Sequence, residues 1–129
     1  MQENFSVVNK TKGKLPSLPF VTIKNDILGK KYNLSLVFIG PTRSRAFNKQ
    51  YRNKNIPTNI LSFPYSKKDG EILITPSVVK KQFKKFNRNY NQMIGFLVIH
   101  GCLHLKGMEH SSTMEKAEKK YDQKYFGWH

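Results

Sequence analysis

At 129 residues the chain is long enough for one substantial core and too short for two, so a single domain over 1–129 is expected. Lys and Arg number 23 against 8 Asp and Glu, and the resulting net charge of +15 favours a polyanionic partner, nucleic acid being the commonest. Hydrophobic residues at 38% and aromatics at 12% exclude a disordered chain. The longest apolar run, Met93 to Ile99, is far short of the ~18 residues of a membrane span, and the opening Met-Gln-Glu-Asn-Phe-Ser lacks the basic-then-apolar pattern of a leader. The short apolar run argues against a membrane partner, and one cysteine, Cys102, cannot form an internal disulfide, which fits a reducing, cytoplasmic setting.

Taken in chain order, Phe5 to Val8 reads as a short first strand. The turn-rich Leu15-Pro-Ser-Leu-Pro19 leads into a helix over about Phe20 to Leu28, with Gly29 as its stop. Tyr32 to Ile39 alternates, with Leu34, Leu36 and Phe38 on one side, and is the clearest strand. Gly40-Pro41 ends it, and Thr42 to Tyr51 follows as a helix. Asn53 to Thr58 is a loop, Ile60 to Phe63 a strand stopped by Pro64, and Glu71 to Ile74 its hairpin partner after the turn Ser66 to Gly70. Pro76 opens a helix through about Phe86.

Asn87 to Asn91 supplies cap candidates for a helix whose apolar residues, Met93 through Leu105, cover nearly all sides. Such a helix is buried. Ser112-Thr-Met-Glu115 has the capping-box pattern and starts a last helix to about Tyr125, with Gly127 after it. Helices and strands mix without strict alternation, so the fold class is α+β or an irregular α/β.

Three of the four histidines lie in one stretch, His100-Gly-Cys-Leu-His104-Leu-Lys-Gly107-Met-Glu-His110. His100 and His104 share a helix face, with Cβ atoms ~5–6 Å apart, so two imidazoles can meet on one ion. Were the helix to continue, His110 would lie roughly 9 Å further along the axis. Gly107 can end the helix in the left-handed conformation and let the chain turn back with a third ligand. Three protein ligands with one open position describe a catalytic zinc site. The spacing also matches the metzincin proteases, except that Gly101 stands where they carry the general-base glutamate. Cys102 points away from the histidine face and is expected to be a small buried residue.

Lys80, Lys81, Lys84, Lys85 and Arg88 recur as one stripe of a helix, a candidate RNA-binding face whose bland alternative is a solvated surface.

These residues resemble the YbeY family of metal-dependent endoribonucleases, bacterial factors for rRNA maturation. The histidine stretch is similar to that family's HGxLHLxGxDH signature. Phe47-Asn48-Lys49-Gln50-Tyr51-Arg52, then Pro57-Thr58-Asn59-Ile60-Leu61-Ser62-Phe63-Pro64, resembles a second family block, and Gly70-Glu71-Ile72-Leu73-Ile74 a third. The resemblance covers about residues 30 to 128, and more loosely the N-terminal third. It implies a small mixed β-sheet packed against helices, with the histidine helix central, a zincin-like arrangement. It also implies that His100, His104 and His110 bind one zinc ion and that Arg52, with His100, is catalytic.

Three positions depart from the family: Asn59, Glu71 and Glu109 each stand where it usually has Asp. Glu71 and Glu109 keep the charge and with it an orienting or proton-transfer role, whereas Asn59 cannot be a base. The expected activity is a zinc-dependent endoribonuclease acting on single-stranded RNA, with rRNA, a ribosomal subunit or ribosome-associated proteins as partners. Two rivals stay open: a metal-dependent hydrolase of another substrate, and a non-catalytic RNA- or ribosome-binding protein with structural zinc.

Overall fold

A computed structural model of the chain describes residues 4–109 and 111–127. Four strands, β1 (Phe5–Asn9), β2 (Asn33–Phe38), β3 (Ile60–Pro64) and β4 (Asp69–Ile74), form one sheet in the order β1-β2-β4-β3. β1 and β4 flank β2 in parallel, and β3 returns antiparallel to β4 as the hairpin that the turn residues imply. Five α-helices join them: α1 (Phe20–Leu28), α2 (Pro41–Arg52), α3 (Pro76–Gln82), α4 (Tyr90–Leu105) and α5 (Ser112–Phe126). The result is an α+β fold built on a small mixed sheet.

Period-two alternation splits the sheet into two apolar faces. Leu34, Leu36 and Phe38 of β2 join Ile72 and Ile74 of β4 against Ile23 and Ile27 of α1 and Ile94, Val98 and Ile99 of α4. On the other face Val37, Ile39, Leu61 and Leu73 meet Phe47 of α2 and Phe63. Nine of the sixteen residues of α4 are buried, among them Cys102, so the helix is the central one its composition implies. Burial of each large side chain contributes about 1.5–3 kcal/mol, which outweighs any local propensity.

Gly95 and Gly101 let α4 come this close to its neighbours. A Cβ on Gly95 would run into the Phe126 ring, and one on Gly101 would lie 2.8 Å from Ile72 Cδ1 and 3.1 Å from Ile60 Cδ1. The absent metzincin glutamate thus has a packing explanation: position 101 faces the sheet, where a side chain would have to displace the ends of Ile72 and Ile60.

Three local expectations are corrected. The helix from Pro76 does not run to Phe86; it ends at Gln82 and tightens into a 3-10 turn, Phe83–Phe86, closed by Asn87 at φ 54°. The tighter winding brings Phe83 onto the core, edge-on to Tyr90 with ring centroids 6.4 Å apart. Lys80 and Lys81 therefore stand on α3, and Lys84 and Lys85 on the 3-10 turn that follows it. The cap of α5 is Ser111, whose Oγ accepts from the Met114 N–H at 3.3 Å, one residue before the expected Ser112. A complete capping box occurs instead at α4, where Asn89 Oδ1 accepts from Gln92 N–H and Gln92 Oε1 accepts from Asn89 N–H.

Candidate metal centre

α4 stops where its sequence says it should. Gly107 takes φ 104°, and the N–H groups of Gly107 and Met108 donate to the carbonyls of His104 and Leu103. This pair of bonds is the Schellman motif, and it turns the chain immediately after the last histidine-bearing turn. His110 lies outside the described residues. Among the described residues no group of three His, Cys, Asp or Glu side chains could hold a metal ion.

His100 and His104 face each other with Nε2 atoms 3.0 Å apart and rings nearly perpendicular. Two imidazole nitrogens on one tetrahedral zinc, each ~2.0–2.1 Å from it, stand roughly 3.3–3.4 Å apart. A few tenths of an ångström of side-chain motion separates the two arrangements, so this histidine pair fits the ion.

Glu118 of α5 is a functional candidate that sequence reading missed. Its Oε2 lies 2.8 Å from His100 Nδ1, and the carboxylate is buried. With the Nδ1 proton donated to Glu118, His100 carries its lone pair at Nε2, on the side facing His104. One turn further along α5, the buried Asp122 accepts from Arg88 Nη2 at 3.1 Å. Burial raises the Asp122 carboxyl above its ordinary value; Arg88 pulls it back, and the charge of Glu118 adds to the rise. Arg88 also lies 4.0 Å over the Phe96 ring, and Phe96 in turn neighbours His100. Its guanidinium thus braces α4 against α5, whereas the sequence had placed it on the RNA-binding stripe. Lys80, Lys81, Lys84 and Lys85 remain exposed.

Arg52 arrives from the opposite face of the sheet. α2 carries a polar stripe, Ser44, Asn48 and Arg52, at i, i+4 and i+8. Ser44 Oγ donates to the Thr58 carbonyl and accepts from the Thr58 N–H, both at 2.9 Å, and Asn48 Nδ2 donates to the Ile56 carbonyl at 2.9 Å. These bonds fasten α2 to the loop before β3. Asn53 closes the helix at φ 57°, which leaves Arg52 as its last residue. Arg52, Ser62, Pro64, His100 and His104 together line a cleft of about 270 Å³ around the edge strand β3. The sequence-predicted arginine and two predicted ligands therefore share one site, 48 to 52 residues apart in the chain.

The three departures from the family are not gathered there. Glu71 accepts from Tyr65 Oη at 2.8 Å in a neighbouring aromatic pocket with Phe47, Tyr51 and Phe63. Although the Tyr65 ring is largely exposed, partial burial of its hydroxyl and then that hydrogen bond push it up to about 12. Asn59 donates to Gln82 Oε1 at 3.1 Å and ties β3 to α3. Glu109 is exposed.

Comparison with known proteins agrees with this architecture. The sequence model of the family described as "Endoribonuclease YbeY" matches residues 9–126. A protein of that name from Thermodesulfovibrio yellowstonii is 35% identical over 121 residues, covering 88% of this chain and 73% of its own. Another, from Francisella philomiragia, is 30% identical over 131 residues, covering 89% of this chain and 83% of its own. The solution structure of a Thermotoga maritima protein superposes with a TM-score of 0.67 at 25% identity, covering 95% of this chain and 89% of that one. With the match running through the arginine helix, the hairpin and the histidine helix alike, the chain belongs to the endoribonuclease YbeY family.

Proposed function

We propose that this protein is a zinc-dependent endoribonuclease that cleaves single-stranded RNA in the cytoplasm, in rRNA maturation and ribosome quality control. The observation that carries the reading is the cleft that Arg52, His100 and His104 line together with residues of the edge strand β3. When bound to those histidines and His110, the ion supplies a Lewis acid for a phosphoryl group. Cleavage of a phosphodiester builds negative charge on the phosphate, and the planar guanidinium of Arg52 answers it with two parallel N–H donors. Glu118 holds the His100 ring by Nδ1 and leaves Nε2 toward His104, where the two would hold the ion. Ser62 adds a hydroxyl to the wall between them. Glu71 and Glu109 are the carboxylates offered for an orienting or proton-transfer role. The net charge of +15, with Lys80, Lys81, Lys84 and Lys85 exposed, draws the RNA in.

Two rivals are weaker for stated reasons. A peptide hydrolase of the metzincin kind needs a glutamate at position 101, where this chain has Gly101 packed against Ile72 and Ile60. A purely structural zinc is not needed by α4, which is already held by nine buried residues and its own caps. The test is incubation of the protein with RNA and with casein, each with and without a chelator, alongside a melting curve. RNA cleavage that the chelator stops while the fold persists is the expected result. Casein cleavage, or unfolding on chelation, contradicts it.

A further inference from the structure

At the other end of α4 lies a second recess that the cleft does not use. It has a volume of about 360 Å³ and is lined by Lys10, Lys12, Lys14 and Lys80, with no Asp or Glu among its lining residues. It opens just beyond the carboxyl ends of the three parallel strands β1, β2 and β4, the usual ligand-binding edge of a parallel sheet. Four lysines lining one cavity with no carboxylate beside them make a positive surface that an anion would neutralise.

The lysine loop is also a formed structure. Asn9 Oδ1 accepts from the N–H and the hydroxyl of Thr11, and Asn9 Nδ2 donates to the Gly13 carbonyl at 2.8 Å. Lys10 N–H donates to the Phe38 carbonyl at 2.8 Å, which ties the loop to β2. Tyr90, at the first turn of α4, supplies an aromatic wall with Lys80 Nζ 5.8 Å from its ring centroid.

We propose that this cavity is a second RNA-backbone site, holding phosphates of the bound strand remote from the scissile bond, with a base against Tyr90. The proposal rests on the RNA reading of the cleft and adds where the strand continues. Tyr90 is ten residues before His100 and fourteen before His104, roughly 15–21 Å along the helix axis. A stacked strand at ~3.4 Å per nucleotide spans that distance in roughly four to six nucleotides. Basic grooves combined with an aromatic platform are the general means by which single strands are held without sequence preference.

The experiment compares wild type with the Lys10→Gln, Lys12→Gln, Lys14→Gln triple variant on RNAs of about three and about twelve nucleotides. For the longer RNA, affinity should fall on the order of tenfold at low salt, and the log–log salt slope should flatten by roughly 2, three single-strand contacts at ~0.7 each. Cleavage of the shorter RNA, which reaches only the cleft, should be unchanged, and Lys→Arg at the same three positions should restore the longer RNA's affinity. An unchanged slope for the longer RNA, or equal losses on both RNAs, overturns the proposal while leaving the cleft's function intact. Wild-type protein that neither binds nor cleaves either RNA overturns the RNA reading itself, and the second site with it.

Discussion

His100 and His104 stand on a helix sealed into the core on its other sides, with His100 tied to a buried carboxylate and the helix end locked by Gly107. Arg52, across the same cleft, stands at the exposed end of a helix held to the loop before β3 by Ser44 and Asn48. The difference suits what each wall would do under the proposed function. Metal ligands have to meet at one point within tenths of an ångström, and a packed core gives that fixity. A guanidinium answering a developing charge needs reach and a planar fork, and a solvated helix end leaves it both.

Substitutions can break or sharpen this contrast. The largest effect is expected at Gly101. Installing the missing glutamate, Gly101→Glu, drives a charged side chain into Ile60 and Ile72, and overpacking together with burial of a polar group costs more than ~3 kcal/mol. A denaturant melt should show a protein that is unfolded or nearly so. A stable variant with protease activity would mean that α4 can leave the sheet, and the sealed wall would not exist.

On the exposed wall, Arg52→Lys should keep charge, folding and zinc content while cleavage falls roughly 10²-fold. Single-turnover cleavage beside equilibrium RNA binding separates rate from affinity, and RNA affinity should change little. A wild-type rate would make Arg52 a bystander.

Glu118→Gln retains an oxygen that accepts from His100 Nδ1–H but loses the charge. Zinc affinity should drop about 10–100-fold, the usual cost of removing a carboxylate behind a histidine ligand. A competition titration against a chromophoric chelator reads this without reference to activity. Unaltered affinity would reduce Glu118 to a packing role.

A smaller change is expected from Lys81→Glu, Lys84→Glu and Lys85→Glu together. Each lost phosphate contact should flatten the salt dependence of RNA binding by roughly 0.7–0.9. No change would mean that the face around the 3-10 turn is merely solvated. The smallest effect concerns Cys102, wholly buried, whose thiol burial pushes up to about 12 despite the nearby Lys24. Native protein at pH 8 should resist alkylation, and rapid labelling would show that α4 opens locally.

How far the sequence reveals this molecule depends on the range of the interaction involved. The span of α1, the hairpin of β3 and β4, and the stop at Gly107 follow from turn residues and periodicity, which act over a few positions. The pairing of β1 with β2, and of β2 with β4, in parallel is a long-range choice, and no local pattern encodes it. The meeting of His100 and His104 was legible because the two sit one helical turn apart. Arg52 was visible only through a family resemblance, since its approach to the histidines depends on how α2 packs across the sheet. Glu118 gave no signal because it reaches His100 from a different helix, eighteen residues on. Arg88 looked like part of a basic stripe, whereas its partner Asp122 is thirty-four residues away. Lys24 is buried on α1, where its sequence suggests a solvated cation; its ammonium donates to the Lys30 carbonyl at 3.2 Å, and burial lowers its pKa.

The central claim is that the histidines hold an ion that the cleft requires for RNA cleavage. Its most direct test measures zinc content and RNA cleavage on the same preparations of wild type, His104→Ala and His129→Ala. Wild type and His129→Ala should carry one equivalent of zinc and cleave, because the position of His129 lacks ligand spacing. His104→Ala should lose both zinc and cleavage while melting as a folded protein. Full cleavage by a zinc-free His104→Ala preparation would contradict the account.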